Sequence, residues 1–336
     1  MAIAFMQNVA GRVPPSVLAA VGEHLRRVES CLHDETGSQV NMVETAGRNT
    51  LEAGGKRLRP ALIAVSAHAT GLRPDANRLA FVSASLEMIH MASLVHDDVI
   101  DGAATRRGHP TASATFGNHA AILCGDVLLA KSMLMLARDA DLRVIRETSE
   151  AVVKTIEGQV REVEARGNFD LALDVHLSIL QGKTAELLSC CCRVGAIIAG
   201  ADDKTIDALG AYGLKVGMAF QIVDDLLDYR GDFRRTGKPW AADFREGCAT
   251  WPLIDARGRL TSEQLVVAKS AFGAVEDEET MLAIYDALCR TGSYDYVARQ
   301  VLEYVTHAKE DLACLPKSAH RHLLDAVADF VVDRDL

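Results

Sequence analysis

Proline is scarce in the middle of this chain. Eight occur in 336 residues, and none falls between Pro110 and Pro239, more than a third of the length. An interior proline removes a hydrogen-bond donor and collides with the preceding turn, so its absence over such a stretch suits long helices. Hairpin signals are equally few, Asp101-Gly102 being the one Asp-Gly or Asn-Gly pair. Basic residues are outnumbered, 36 Lys and Arg against 46 Asp and Glu, for a formal charge of −10. That balance argues against a nucleic-acid surface, which needs excess cations, although a few local cations or metal ions can still create an anion site. The eight cysteines show no paired spacing of a disulfide framework or zinc cluster. The run Cys190-Cys191-Cys192 reads as small apolar residues buried in a reducing compartment. No continuous apolar run approaches ~20 residues, which predicts no membrane span. The start, MAIAFMQNVAGRV, lacks the basic region and apolar core of a signal peptide. A soluble, cytoplasmic protein is expected.

What is present is helical periodicity. Val153, Ile156, Val160 and Val163 recur three or four apart, as one face of an amphipathic helix requires, and Ile179, Lys183, Leu187 and Cys191 continue such a stripe. Breaks are expected near Gly54-Gly55, Gly71 to Pro74, Gly102 to Pro110, Gly167-Asn168, Gly200 and Gly231 to Pro252. The reading is an all-α chain of roughly ten or more helices forming a single domain over residues 1–336.

One pattern occurs twice. Asp97-Asp98-Val99-Ile100-Asp101 follows an apolar helical run and precedes Arg106-Arg107; Asp224-Asp225-Leu226-Leu227-Asp228 follows another and precedes Arg234-Arg235. On a helix, residues four apart share a face, so Asp97 stacks with Asp101 and Asp224 with Asp228. Carboxylates stacked at a partly buried helix end repel one another and resist desolvation, so a cation should offset them. Mg²⁺ takes one or two carboxylates plus water and substrate phosphate oxygens, and two such pairs suit several Mg²⁺ ions bridging to a diphosphate. Either motif alone reads equally well as a solvated acidic helix end; two copies with the same surroundings favour metal. Cations complete the pattern. Gly54-Gly55-Lys56-Arg57-Leu58-Arg59-Pro60 places backbone N–H groups and three positive side chains at a helix start, while Lys183-Thr184 and Gly237-Lys238-Pro239 add two lysines. Arginine forks match phosphate oxygens bidentately and lysine acts as a point charge.

GGKRLRP (54–60), EMIHMASLVHDDVIDGAATRRGHPT (87–111), GD (125–126), KT (183–184) and FQIVDDLLDYRGD (220–232), in this order, resemble the trans-isoprenyl diphosphate synthases, and the resemblance runs from about residue 40 to the end. It implies antiparallel helices around a deep central cavity with the two Asp motifs facing each other, and a homodimer. It implies that Asp97, Asp101 and Asp224 ligate Mg²⁺, with Asp98, Asp225 and Asp228 in supporting or water-mediated roles. Gly55, Lys56, Arg59, His90 and Arg107 would bind isopentenyl diphosphate. Arg106, Lys183 and Lys238 would hold the allylic diphosphate, with Thr184 and Gln221 near the developing cation; His96 would be structural.

The resemblance also implies a ruler for product length upstream of the first motif. Ala92 and Ser93 are small where members making short products often carry aromatics, Ile89, Leu86 and Ser85 lie deeper, and Met133 reaches in from the next helix. The first motif is the compact DDxxD. The expected product is long, hexaprenyl to decaprenyl, for a quinone side chain, with geranylgeranyl diphosphate as the alternative. The chain departs from the family pattern GKPxGxDxxEGKxTLP in three places: Ala241 replaces a glycine, Cys248 a phosphate-facing lysine and Trp251 a leucine. That loss keeps open a weakly active regulatory subunit of a heteromeric synthase, although such subunits generally lose aspartates and both motifs here are complete. A class I terpene cyclase is disfavoured by the second DDxxD, and a metal phosphohydrolase leaves GGKRLRP unexplained.

Overall fold

The computed structural model describes residues 11–55, 57–230, 241–274 and 278–333. Lys56 and Lys238 therefore lie outside the described residues, as do Arg234 and Arg235. The described chain is helical nearly throughout, as expected: α1 Pro15–Thr36, α2 Asn41–Glu52, α3 Leu58–Ala69, α4 Ala76–Ile100, α5 Ala112–Phe116, α6 Asn118–Asp139, α7 Leu142–Ala165, α8 Leu173–Leu180, a π-helical turn Gln181–Ala185, α9 Glu186–Ala199, α10 Asp203–Arg230, α11 Ala242–Arg245, α12 Trp251–Ala256, α13 Ser262–Ala271, α14 Glu278–Arg290, α15 Ser293–Asp311 and α16 Ala319–Val332. Among the described residues the strands are β1 (Thr105–Arg106) and β2 (His109–Pro110), an antiparallel hairpin after the first Asp motif.

The chain divides into two compact units. The first draws on residues 1–152, 190–210 and 314–326. Its core is built from α1, α4 and α6, where Val28, Leu32, Ala84, Met88, Met91, Ala92, Val95, Leu128 and Met135 are buried together. Each large apolar side chain so placed contributes about 1.5–3 kcal/mol relative to exposure. Asp75 starts α4 by accepting from the backbone N–H of Asn77 and Arg78 at 2.9 and 2.7 Å. The guanidinium of Arg78 then clamps Asp139 and Asp141 at the end of α6. In this way α4 is fixed at its start and buried along its length, and it presents the first Asp motif at its far end.

The second unit draws on residues 153–189, 211–313 and 327–336. Here Gly158 of α7 meets the π-helical turn backbone to backbone. A Cβ on Gly158 would stand 2.5 Å from the Lys183 nitrogen, and one on Gly182 would stand 2.8 Å from the Lys154 oxygen. Phe272 takes Phe169 and Phe244 edge-on, each at 5.4 Å, which anchors the segment following the second Asp motif.

Two findings add to the sequence reading. Val153, Ile156, Val160 and Val163 do lie on a helix, but each is more than half exposed, so the stripe faces away from the core of its unit. Periodicity reveals a face, not what covers it. Second, Ala76–Ile100, Asn118–Asp139 and Asp203–Tyr229 are long and apolar enough, by length and composition, to cross a membrane. Scattered Ser, His and Gly interrupt the continuous runs without lowering the mean hydropathy enough to disqualify them. In the first and third, 72% and 61% of the apolar window is buried inside the protein.

Candidate active site

In the first unit the GGKRLRP loop is held by its middle arginine. Arg57 has a left-handed backbone (φ 47) and a side chain only 5% exposed. Its guanidinium donates to Glu29 Oε1 at 2.6 Å, Glu87 Oε1 at 2.9 Å and the Leu51 carbonyl at 3.2 Å. These bonds tie the loop to α1, α2 and α4, so Arg57 is a tether. Arg59, in the first turn of α3, is different: its Nε is buried without a hydrogen-bond partner. Burial lowers its pKa, and Glu87 opposes that. His90 stands in the field of Arg59, Arg107, Arg106 and Arg57; burial first and those cations next hold its imidazole well below the usual histidine range, so it is neutral. A Cβ on Gly55 would lie 3.3 Å from Arg57 Nη1 and 3.4 Å from Arg107 Nη1, so glycine leaves the two guanidiniums close to the loop. Four arginines surround the neutral histidine, two of them paired with carboxylates (Arg57 with Glu29 and Glu87, Arg106 with Asp98), and such a surplus of forks suits an anion.

The first Asp motif ends α4. The backbone N–H of Asp101 donates to the Asp97 carbonyl at 2.8 Å, which confirms the one-turn relation of that pair. Asp98 is buried and accepts from Arg106 Nε at 2.7 Å, while Asp101 is exposed. His96 is structural in the way expected: its Nε2 lies 3.1 Å from the Ile122 carbonyl and 3.4 Å from Asp126, and any Cβ on Gly125 would overlap its ring. This explains the Gly125-Asp126 pair. Ala92 and Ile89 are buried in α4, Ser93 Oγ donates to the His90 carbonyl at 2.9 Å, and Met133 is half-buried on α6.

In the second unit Asp224, Asp225 and Asp228 line a pocket of about 370 Å³ together with Gln221, Lys183, His176, Glu162, Asp243 and Cys248. The π-helical turn aims Lys183 at Glu162, 2.6 Å away, and leaves Thr184 half-buried beside it. Asp228 caps α11 by accepting from the backbone N–H of Ala242 (3.1 Å) and Asp243 (3.0 Å). His176 Nε2 meets Asp225 Oδ2 at 2.9 Å. Burial, and after it Asp225, Asp228, Glu246 and Glu162, pushes the Asp243 carboxyl up to about 8. Asp228 is raised as well, chiefly by burial, against the two backbone donors. The Cys248 thiol is driven up to about 12 by burial, Asp243 and Glu162.

Carboxyls raised by burial and then by one another mark a site short of positive charge, which a hard divalent cation would supply. The donor set is all oxygen, so the residues present fit Mg²⁺. Among the described residues no three His, Cys, Asp or Glu already form a finished ligand set. That suits an ion that keeps waters and substrate oxygens in most of its coordination positions. Sequence reasoning placed the six motif aspartates, Gln221 and Lys183 at candidate sites but missed Glu162, His176 and Asp243. His176 and Lys183 are seven apart, two helical turns, which is the signal that would have found the histidine.

The polyprenyl synthetase family model matches residues 40–288. An all-trans-nonaprenyl-diphosphate synthase (geranyl-diphosphate specific) of Rhodobacter capsulatus is 33% identical over 99% of both chains. Heptaprenyl diphosphate synthase component 2 of Geobacillus stearothermophilus is 35% identical over 95% of this chain and 96% of its own. Among solved structures, the polyprenyl synthase of Caulobacter crescentus CB15, complexed with calcium and isoprenyl diphosphate, superposes with a TM-score of 0.87 at 32% identity, covering 95% of this chain and 97% of that one.

Proposed function

The chain belongs to the polyprenyl synthetase family and is a prenyltransferase, and from that premise we propose that it condenses isopentenyl diphosphate head-to-tail with an allylic diphosphate, farnesyl or geranylgeranyl, to give a long-chain all-trans polyprenyl diphosphate for a quinone side chain. The observation that carries this reading is the pocket of the second unit, where Asp224, Asp225, Asp228 and Asp243 stand together with Lys183 and Gln221. Relatives that make nonaprenyl and heptaprenyl chains support the long product.

Asp97 and Asp101 of the first motif and Asp224 of the second would hold Mg²⁺, several ions per active site, with Asp98, Asp225 and Asp228 in support; the metal would supply charge neutralisation for the departing pyrophosphate. Arg59, His90, Arg107, Gly55 and Lys56 bind isopentenyl diphosphate; neutral His90 donates a hydrogen bond without adding to the repulsion among the arginines. Arg106, Lys183 and Lys238 hold the allylic diphosphate, so that its C–O bond ionises where cations stabilise the leaving group. Thr184 and Gln221 stand near the allylic cation. The double bond of isopentenyl diphosphate attacks that cation, and pyrophosphate removes the proton, which leaves no protein general base to find.

The protein is a homodimer without a membrane span, working in the cytoplasm. Support for the dimer comes from exposed apolar side chains on α6, Ile122, Leu123 and Leu134. One observation favours a second reading, a subunit that needs a different partner: the relative from Geobacillus stearothermophilus is named a component. The test is incorporation of labelled isopentenyl diphosphate by the purified protein alone. Asp97→Ala and Asp224→Ala should each cut turnover by at least about 100-fold while the melting temperature stays near that of the parent. Near-normal turnover in both variants with Mg²⁺ present would refute the metal assignment.

A further inference from the structure

Each aspartate of the second motif meets a different environment. Asp228 is tethered through both oxygens to backbone donors. Asp225 is 6% exposed, and its Oδ2 meets the Nε2 of His176, itself 5% exposed, at 2.9 Å. An ionised carboxylate only accepts, so the hydrogen lies on Nε2 and the imidazole donates. His176 sits on α8 and Lys183 on the π-helical turn that continues it, and His176, Ile179, Leu180 and Lys183 all line the pocket. One helical face thus carries two contacts to acidic side chains, His176 to Asp225 and Lys183 to Glu162.

We propose that His176 is a positioning residue of the second acidic motif: by donating to Oδ2 it fixes the rotamer of Asp225 and leaves Oδ1 for the hydrated cation. The inference rests on the Mg²⁺-dependent reading above. The physical need is specific. Asp225 is crowded by Asp228 and Asp243, as the raised carboxyls of those two neighbours record. Without a donor it would turn away from its neighbours or take up a proton, and either response removes a ligand oxygen. Partners of this kind, bonded to a metal-binding carboxylate instead of to the metal, typically change metal affinity by about 10–100-fold.

The test is a Mn²⁺ titration of the full-length protein with inorganic pyrophosphate, free Mn²⁺ being counted by electron paramagnetic resonance. His176→Phe should weaken Mn²⁺ binding by about 10-fold or more. His176→Gln, whose amide N–H reaches the place of Nε2, should recover most of that loss. Asp225→Asn combined with His176→Phe should bind within about twofold of Asp225→Asn alone, because the histidine acts through the aspartate. Should His176→Phe not fold, His176→Asn, whose shorter amide falls short of Asp225, takes its place with the same expectation. Binding within about twofold of the parent, equal losses in the Phe and Gln variants, or losses that multiply in the double variant would each overturn the proposal. If the parent protein with pyrophosphate bound no Mn²⁺ at all, the Mg²⁺ reading would fall and this inference with it.

Discussion

At the scale of single residues, the acidic pocket is defined by what it lacks. Asp243 carries a carboxyl held at about 8 in the fold and near 4 in the unfolded chain. A raised folded pKa means that this group favours the fold fully below the unfolded value, and that the contribution is lost as pH rises through about 8. Cation-free protein should therefore lose thermal stability between about pH 4 and 8 through Asp243, and Asp243→Asn should flatten that slope. At pH 7, Mg²⁺ with pyrophosphate should release about one proton into weakly buffered solution. No proton release on binding would mean that Asp243 is not in the field of the cation. Cys248 belongs to the same balance. It lines the pocket where the family pattern carries lysine, and its thiol is pushed up by burial and then by Asp243 and Glu162, carboxylates that a lysine would answer. Cys248→Lys should lower the Michaelis constant for the allylic diphosphate by about 5-fold or more, the scale of one charged hydrogen bond. An unchanged constant would show that the lost cation is replaced from elsewhere.

At the scale of elements, the segment after the second Asp motif is strained at one point. Ala241 is buried with φ 53 and ψ 50, a left-handed conformation that costs a residue with a Cβ roughly 1–2 kcal/mol. Ala241→Gly should stabilise the protein by about 1 kcal/mol in denaturant unfolding, after allowing for glycine's greater chain entropy. A destabilised variant would contradict that account of the turn. The sequence departure and the backbone agree here, since the family pattern has glycine at this position. Most element boundaries were equally legible. Gly54-Gly55, Gly71, Gly102, Gly167 and Gly200 all fall between helices, because positive φ and missing side chains interrupt helical bonding. The π-helical turn at Gln181–Ala185 was not legible. It depends on Gly158, which is remote in sequence and meets that turn without a side chain between them. His176 escaped for a related reason. A lone histidine on an apolar face carries no sign of its partner until α8 and α10 are placed side by side in their unit. The exposed stripe Val153 to Val163 is the converse, a clear period whose covering surface is not written in the period.

At the scale of the molecule, the family was legible because both halves of the chemistry are repeated along the chain. Two Asp motifs and several cationic segments leave few other readings. Charge context had to come from the folded units. His90 is held low by burial and then by Arg59, Arg107 and Arg106, brought round it from separate segments, and the Asp243 carboxyl is raised by burial and then by Asp225 and Asp228. The measurement that tests the central claim most directly is product sizing. Purified protein is incubated with Mg²⁺, labelled isopentenyl diphosphate and, separately, geranyl, farnesyl and geranylgeranyl diphosphates, and the dephosphorylated products are separated by chain length. The account predicts a ladder ending at one prenol between hexaprenyl and decaprenyl, shortened when Ala92 is replaced by Phe. A ladder that stops at geranylgeranyl, or no elongation of any primer by well-folded protein, would contradict it.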